Sequence, residues 1–505
     1  MKNISFSKSF MNTASSEESE KVADLLFAIC LLLVFIMAAR TPLDSDLWWH
    51  LKAGEYTIQT ASPLMKDLFS YTRAGETWIN HSWLGQVILY WCFHNAGYWG
   101  LGFCVALVAT LSMAVLFKVM GGSAFFKSVF VVLAAIVSSF IWSPRPQIFS
   151  QLMFAILLAW LVKGQKASLF QNVLMVIFLF AFWSNLHGGY SLGIILLSLN
   201  LIGGVVQTIW REDDQKNEIL THIKRYGIYL ISALAGSLLN PNGLNTLIIP
   251  FRTVGVEALQ NLIDEWASPD FHHLAMQPFL ILMFVGIISL AVSRKNASGF
   301  EIVGFIGFTY LALIAKRNFA PFAVFSTFMI GNHLPEVMDK ISARFRMNKF
   351  FGSQKRLPGH ISKPVNLMLV ALLGVTALLK CFYVTHPVVV SAYEAQFYPK
   401  HAVAYLKSSG IPKGNLFNSY GWGGYLIWNL PAVKVFADGR TDLYGDEILM
   451  EWLYLIHAQD EWKKILEKWN IDWLLVEPNQ PIVKYLIQAE WEVIYRDEVS
   501  IILVR

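Results

Sequence analysis

Eleven runs of apolar residues divide this sequence, and each is close to the length that a helix needs to cross the roughly 30 Å hydrocarbon core of a bilayer. Of the 505 residues, 55% are hydrophobic and only 15% are charged, whereas soluble globular chains carry about 25% charged residues. The chain is therefore predicted to be an α-helical polytopic membrane protein with about eleven transmembrane helices. The runs lie at residues 22–40, 97–119, 124–142, 147–163, 168–185, 189–210, 225–240, 276–293, 299–316, 319–333 and 364–383.

The distribution of Lys and Arg predicts the orientation. These residues are in excess on the side that holds the N-terminus, above all in segment 340–363, and such an excess marks the cytoplasmic side. Residues 1–20, rich in Ser and Glu, are expected to be a disordered cytoplasmic N-terminus. Residues 21–383 are expected to form the transmembrane domain, with a first outer loop at 41–83.

The tail, residues 384–505, is expected to be an extracytoplasmic α/β domain. Alternation and short apolar runs predict strands and intervening helices. The predicted strands are Asn415–Asn418, Lys434–Ala437, Trp473–Val476 and Ser500–Val504, and the predicted helices are Glu447–His457 and Glu461–Trp469.

Two carboxylates follow the first apolar run directly, in the stretch Thr41–Lys52. Tryptophans are common at headgroup depth, but carboxylates there are costly unless they are solvated, paired or bound to a cation. Asp44 or Ser45 could simply cap a helix over 47–59. Alternatively, Asp46, with Asp44, acts as a general base or a cation ligand.

Other polar motifs fall on the same predicted outer face. Asp67 and His81 belong either to a loop turn and a helix cap or to one polar pocket with Asp46. Arg317, beside Lys316, is either a snorkelling cation or a clamp for a phosphate, whose oxygens arginine matches with paired donors. The same alternatives hold for Arg145.

The run Leu43–Leu51 resembles the first outer loop of GT-C glycosyltransferases, polytopic enzymes that use a sugar carried on polyprenyl phosphate or diphosphate. Within it, residues 46–50 are similar to the Asp-aromatic-aromatic stretch of oligosaccharyltransferase catalytic subunits. In that class the aspartate ligates a divalent metal near the acceptor. In the protein mannosyltransferase and aminoarabinose transferase branches, the equivalent aspartate is the base. The longer stretch 42–84 resembles bacterial membrane proteins described as GT-C-like.

The resemblance implies an inner-membrane glycosyltransferase of the bacterial cell envelope, with a cytoplasmic N-terminus. Its partners would be a polyprenyl-(di)phosphate-linked sugar donor, membrane lipids and a glycan, lipid or protein acceptor, and nucleic acid is not expected. The only cofactor implied is a divalent cation, Mg²⁺ or Mn²⁺, on Asp46. Glu265 would correspond to the flexible outer-loop acid of oligosaccharyltransferases, whereas segment 419–428 lacks the aspartate of their Trp-Trp-Asp-Tyr-Gly signature.

The candidate residues fall into three groups by their expected role. The catalytic candidates are Asp46, Asp44, Asp67 and His81. The candidates for binding the donor phosphate are Arg317, Arg145 and Lys316. The candidates for lining the substrate pocket are Trp48, Trp49, His50, Trp83, His187, Glu265, Tyr420, Trp422, Asp438 and Arg440.

Two other functions stay open. A flippase or transporter of lipid-linked sugars would keep its ionisable groups near the midplane, often in repeated halves, whereas here they cluster at one boundary and no repeat is evident. A non-catalytic scaffold of an envelope-polysaccharide assembly is the other alternative.

Overall fold

The computed structural model describes residues 4–163, 167–210, 216–256, 263–344 and 359–505. Most of them are helical, and a helix lies at each position where an apolar run predicts one. The first thirteen helices are α1 (Ile4–Ala38), α2 (Leu47–Thr60), α3 (Trp83–Val119), α4 (Ala124–Ser138), α5 (Gln147–Lys163), α6 (Leu169–Leu186), α7 (Tyr190–Trp210), α8 (Lys216–Ser237), α9 (Asn245–Val254), α10 (Gln277–Val292), α11 (Gly299–Ile314), α12 (Phe319–Arg344) and α13 (Gly359–Val384).

Seven of the described helices are long and apolar enough to cross a membrane, and α5 and α11 are apolar but shorter. The predicted class, a helical polytopic membrane protein, is confirmed, while the count of eleven spans stays a prediction. The orientation also stays a prediction, since helix length and composition do not distinguish the two sides of a membrane. Residues 345–358 of the basic segment lie outside the described residues.

The bounds of α1 include part of the polar N-terminal segment, because the helix begins at Ile4. The expectation that residues 1–20 form a disordered cytoplasmic N-terminus stays a prediction.

The first loop packs against the tail. Helix α2 contacts α3 on one side and α16 (Gly423–Asn429) on the other. Trp48, which is 1% exposed, meets the rings of Tyr398 and Tyr425 at centroid distances of 4.5 and 5.0 Å. These contacts hold the start of α2, and therefore Asp46, at a fixed position.

The tail contains a four-stranded sheet with strand order β1-β2-β4-β3. Strands β1 and β2 are parallel, and the other pairs are antiparallel. The strands are β1 (Asn415–Asn418), β2 (Ile471–Val476), β3 (Glu492–Arg496) and β4 (Ile501–Val504). The other helices of the tail are α14 (Pro387–Phe397), α15 (Lys400–Ser409), α17 (Thr441–Ile456), α18 (Trp462–Lys468) and α19 (Pro481–Gln488).

The predicted strand at 434–437 is wrong, and β3 was not predicted. Val435 forms only an isolated bridge with Ser70, because its backbone bonds go to Phe69 and Tyr71 of the first loop (3.1 and 3.2 Å). Strand β3 is an exposed edge strand with charged residues at both ends, so it lacks the apolar pattern of a buried strand.

Candidate active site

Arg145 lies at the centre of a carboxylate cluster. Its Nε is 3.2 Å from Asp44, its Nη1 is 3.1 Å from Asp46, and its Nη2 is 2.7 Å from Glu265. The four side chains are 13–17% exposed. One ion-paired group therefore unites residues with three predicted roles. They are the candidate bases Asp44 and Asp46, the candidate phosphate ligand Arg145 and the candidate outer-loop acid Glu265.

Local backbone geometry sets the direction of the Asp46 carboxylate. Asp44 Oδ1 accepts a hydrogen bond from the amide of Asp46 (3.0 Å), and Asp46 Oδ1 accepts one from Trp49 Nε1 (3.1 Å). Neither Asp44 nor Ser45 is the N-cap of α2. Asp46 has that position, but its side chain makes no capping bond to α2 and instead faces Arg145.

The tail reaches the same cluster through Gly439. A Cβ atom at this position would lie 1.7 Å from Asp46 Oδ1 and 3.1 Å from Trp49 Nε1. Only glycine allows this approach. The turn before α17 thus forms part of the wall around Asp46.

A cavity of about 670 Å³ opens beside the cluster. Its polar part includes Asp46, Arg145, Glu265 and Arg317, together with three histidines. Its apolar part is contributed mainly by α7 and α9. The histidines are His50, His81 and His187, and the apolar lining includes Leu192, Ile195, Leu234, Ile249, Phe251 and Val254.

Arg317 has a different environment from Arg145. Its guanidinium lies 4.0 Å from the ring centre of Trp266, a cation–π contact. Among the described residues, that guanidinium has neither a salt bridge nor a hydrogen bond. Burial lowers the pKa of Arg317, although Glu265 acts in the opposite direction. A half-buried guanidinium that has no ion pair among the described residues is suited to bind an anion in the cavity.

The three cavity histidines are held neutral. Burial lowers the pKa of His50, His81 and His187, and nearby positive groups lower it further for His50 and His187. His187 Nδ1 lies 2.9 Å from Ser150 Oγ and accepts a hydrogen bond from the amide of Gly189 (3.0 Å). Nδ1 of His81 is buried without a hydrogen-bond partner among the described residues.

The pKa values of Asp46 and Glu265 are shifted in opposite directions. Burial raises the pKa of Asp46 to about 7, and Asp44 and Glu265 contribute to the increase while Arg145 opposes it. Burial also acts to raise the pKa of Glu265, but Arg145 and Arg317 more than offset it and the net shift is downward. A cluster with more carboxylates than cations therefore keeps one basic carboxylate near neutral pH, and that residue is Asp46.

Three predicted site residues belong instead to a separate buried ion cluster. Arg440 pairs with Asp67 and with Asp438, each at 2.7 Å, and all three side chains are 0% exposed. Tyr444 donates a further hydrogen bond to Asp438 (2.6 Å). The interpretation of Asp67 as part of a pocket with Asp46 is wrong, because its carboxylate is used to join the first loop to the tail.

Several other predicted residues do not line the cavity. Lys316 pairs with Asp264, unlike its neighbour Arg317. Trp83 donates to Asn185 (2.6 Å), and Trp422 donates to the carbonyl of Phe397 (3.0 Å). The remaining two are Trp48, which packs on the tail, and Tyr420, whose hydroxyl lies 2.8 Å from Thr441 Oγ1 and so contacts a lining residue.

The cavity lining also includes residues that were not among the predicted site residues, among them Ser150, Trp266, Thr441 and Asp442. Trp266 directly follows the predicted residue Glu265, and Asp442 lies two residues after the predicted residue Arg440. The side chains that turn toward a cavity depend on the phase of a short helix or turn, which composition does not predict.

A divalent cation does not fit among these carboxylates while Arg145 is in place. Asp44, Asp46 and Glu265, which would surround such an ion, are each paired with the Arg145 guanidinium, which takes the space between them. Among the described residues, no group of at least three His, Cys, Asp or Glu residues is arranged to hold a metal ion.

Comparison with known proteins bears on the fold. The sequence matches no protein-family model and no curated protein. Among solved structures, the archaeal oligosaccharyltransferase AglB from Archaeoglobus fulgidus, in complex with an inhibitory peptide and a dolichol-phosphate, matches with a TM-score of 0.54 and 11% identity, over 89% of this chain and 69% of that one. The apo form of the Archaeoglobus fulgidus enzyme matches with a TM-score of 0.50 and 12% identity, over the same shares. The predicted resemblance is confirmed at the level of architecture: this chain has a GT-C-like fold.

Proposed function

We propose that this protein transfers a sugar or glycan from a polyprenyl-(di)phosphate donor to an acceptor bound in the cavity. The observation that carries the proposal is the composition of that cavity. It joins an apolar part to a polar part that holds a basic carboxylate and a guanidinium with no ion pair in the part of the chain that the structure describes. A ligand with a long hydrocarbon chain and a phosphate headgroup matches both parts.

Arg317 is the residue that would bind the donor phosphate. The phosphate becomes the leaving group when the bond between the anomeric carbon and the phosphate oxygen breaks, and a fixed cation stabilises the negative charge that develops there. The structurally similar AglB was determined with a dolichol-phosphate, which supports a phosphate-linked lipid as the ligand class.

Asp46 is the residue that would act on the acceptor. Its raised pKa suits a general base, which takes the proton from the acceptor hydroxyl or amine as that atom bonds to the anomeric carbon. Thr441 and Asp442 also line the cavity, close in sequence to Gly439, which borders Asp46, and they would contact the acceptor.

The proposed location follows from the predicted orientation. The cavity would open on the extracytoplasmic side of a bacterial inner membrane, with residues 384–505 as an extracytoplasmic domain over it. The chemistry would then take place where envelope glycans are assembled.

The test is glycan transfer from lipid-linked donors in membranes that contain equal amounts of each variant. Asp46→Asn and Arg317→Ala should each reduce transfer by roughly 10²–10⁴-fold, the range for loss of a general base or a charge-stabilising donor. Asp270→Asn is the matched control, because Asp270 is 57% exposed and contacts only nearby histidines.

Full activity of Asp46→Asn at normal expression would contradict the role of Asp46. Movement of the lipid-linked sugar across the membrane by the wild-type protein, without a covalent product, would favour a flippase instead.

A further inference from the structure

We infer that Arg145 is the built-in cation of this site and takes the place that a divalent metal ion would occupy among Asp44, Asp46 and Glu265. The wild-type protein then binds no divalent cation at these carboxylates. The inference deepens the proposed function. Its transfer test rests on that function, whereas its metal-binding test does not.

The geometry uses every nitrogen of the guanidinium. Nε, Nη1 and Nη2 each approach a different carboxylate, at 3.2, 3.1 and 2.7 Å. An oxygen-bound Mg²⁺ or Ca²⁺ has ligands at roughly 2.0–2.6 Å on all sides. A metal ion could approach these oxygens only after the guanidinium had left, so the two cations exclude each other.

The arginine is held in place by its surroundings. It lies between Pro144 and Pro146, Ser143 Oγ accepts a hydrogen bond from its Nε (3.0 Å), and its side chain is 17% exposed. The carboxylates around it raise its pKa despite burial, so its positive charge persists at every physiological pH. A metal ion, by contrast, can dissociate or be chelated.

Three carboxylates around one guanidinium leave the cluster with excess negative charge. Removing the arginine while its volume is largely kept would leave three converging carboxylates without a cation. Hard divalent cations bind such oxygen donors. Replacement of Arg145 should therefore convert a site that excludes metals into one that binds them.

The experiment measures Mn²⁺ binding by the electron paramagnetic resonance signal of free Mn²⁺, with purified full-length protein in detergent. The wild type should bind no Mn²⁺ at the site, whereas Arg145→Met should bind one Mn²⁺ per chain. Adding Glu265→Gln to Arg145→Met should weaken this binding. Arg145→Lys keeps the positive charge and should not bind. Arg40→Met is the matched control, because Arg40 donates only to the carbonyls of Met37 and Ser139.

Stoichiometric Mn²⁺ binding by the wild type that Asp46→Asn abolishes would overturn the inference. So would a folded Arg145→Met protein that binds no Mn²⁺. If Arg145→Met does not fold, the wild type and Arg145→Lys decide the question: Mn²⁺ bound at the cluster by either protein contradicts the inference, and its absence in both supports it.

Transfer gives a second, separate readout. Wild-type transfer should be unaffected by a chelator of divalent cations, whereas activity that is lost with the chelator and restored by Mn²⁺ would contradict the inference. If the wild type shows no transfer under any condition, the proposed function fails, while the Mn²⁺ comparison still decides the role of Arg145.

Discussion

Asp46 and the cavity histidines respond to pH in opposite ways. Burial raises the pKa of Asp46 and lowers the pKa of His50 and His187. A carboxyl whose pKa is raised on folding stabilises the folded state more as the pH falls. The reason is that the folded state binds this proton at a pH where the unfolded state is still deprotonated. A histidine whose pKa is lowered on folding stabilises the folded state at pH values above its unfolded-state pKa of about 6.5. This stabilisation is lost as the pH falls below that value.

The two effects can be separated by substitution. Relative to the wild type, His187→Asn should lose less thermal stability as pH falls below about 6.5, because a site that must stay neutral has been removed. Asp46→Asn should lose more, because the carboxyl that gains a proton on folding is gone. The measurement is the unfolding midpoint of purified protein across this pH range, and identical pH profiles for all three proteins would contradict the assignment.

Sequence reasoning at this scale succeeded where a charge had no evident packing role. Asp46, Arg145 and Arg317 were singled out in this way and Glu265 by resemblance, and all four line one cavity. Their roles stay predictions. The prediction of cavity-lining residues failed where adjacent residues of a short helix point in different directions. Trp49 turns to the cavity and Trp48 to the tail, because successive helical side chains are about 100° apart and the phase of α2 depends on its partners.

At the scale of elements, the contact between α2 and the turn before α17 determines the shape of the site. Gly439 lies so close to Asp46 that a single methyl group cannot be accommodated without moving the carboxylate. The segment just before Gly439 was predicted to be a strand at 434–437. It instead pairs with residues 69–71 of the first loop, and the sequence did not indicate this partner because the two segments are far apart in the chain.

Gly439→Ala should reduce transfer by roughly a hundredfold, because a shift of about 1 Å in a catalytic group has an effect of that size. The new methyl group would displace Asp46 Oδ1 and break its bond from Trp49. Gly421→Ala is the matched control, since a Cβ atom there meets nothing within 4 Å. Transfer rates are compared at equal protein amounts, and equal activity of the two variants would refute the role of Gly439.

At the scale of the whole molecule, the buried cluster of Arg440, Asp67 and Asp438 joins the first loop to the tail. The spacing of Asp438 and Arg440 in the sequence already suggests a turn with an Asp–Arg pair, and the structure contains that pair. The sequence does not show that Asp67, 373 residues away, pairs with the same guanidinium. The apolar runs, by contrast, predict the helical architecture well, because the length of a helix that spans a bilayer is set by the bilayer itself.

Arg440→Ala should destabilise the folded protein by roughly 3–5 kcal/mol, because it leaves two buried carboxylates without their cation. Lys464→Ala is the control: its ion pair with Glu461 is 73% and 66% exposed, and surface substitutions usually change stability by about 0.5 kcal/mol or less. Denaturant unfolding in detergent measures both, and equal effects would show that the buried cluster contributes little.

Gly439 and Thr441 complete the wall around a carboxylate that belongs to the first loop. These residues are translated long after Asp46 and Arg145, so the wall around Asp46 can be completed only when the tail has folded back over the first loop. Under the proposed function, a chain that lacks the tail would have an incomplete acceptor site and would not transfer glycan.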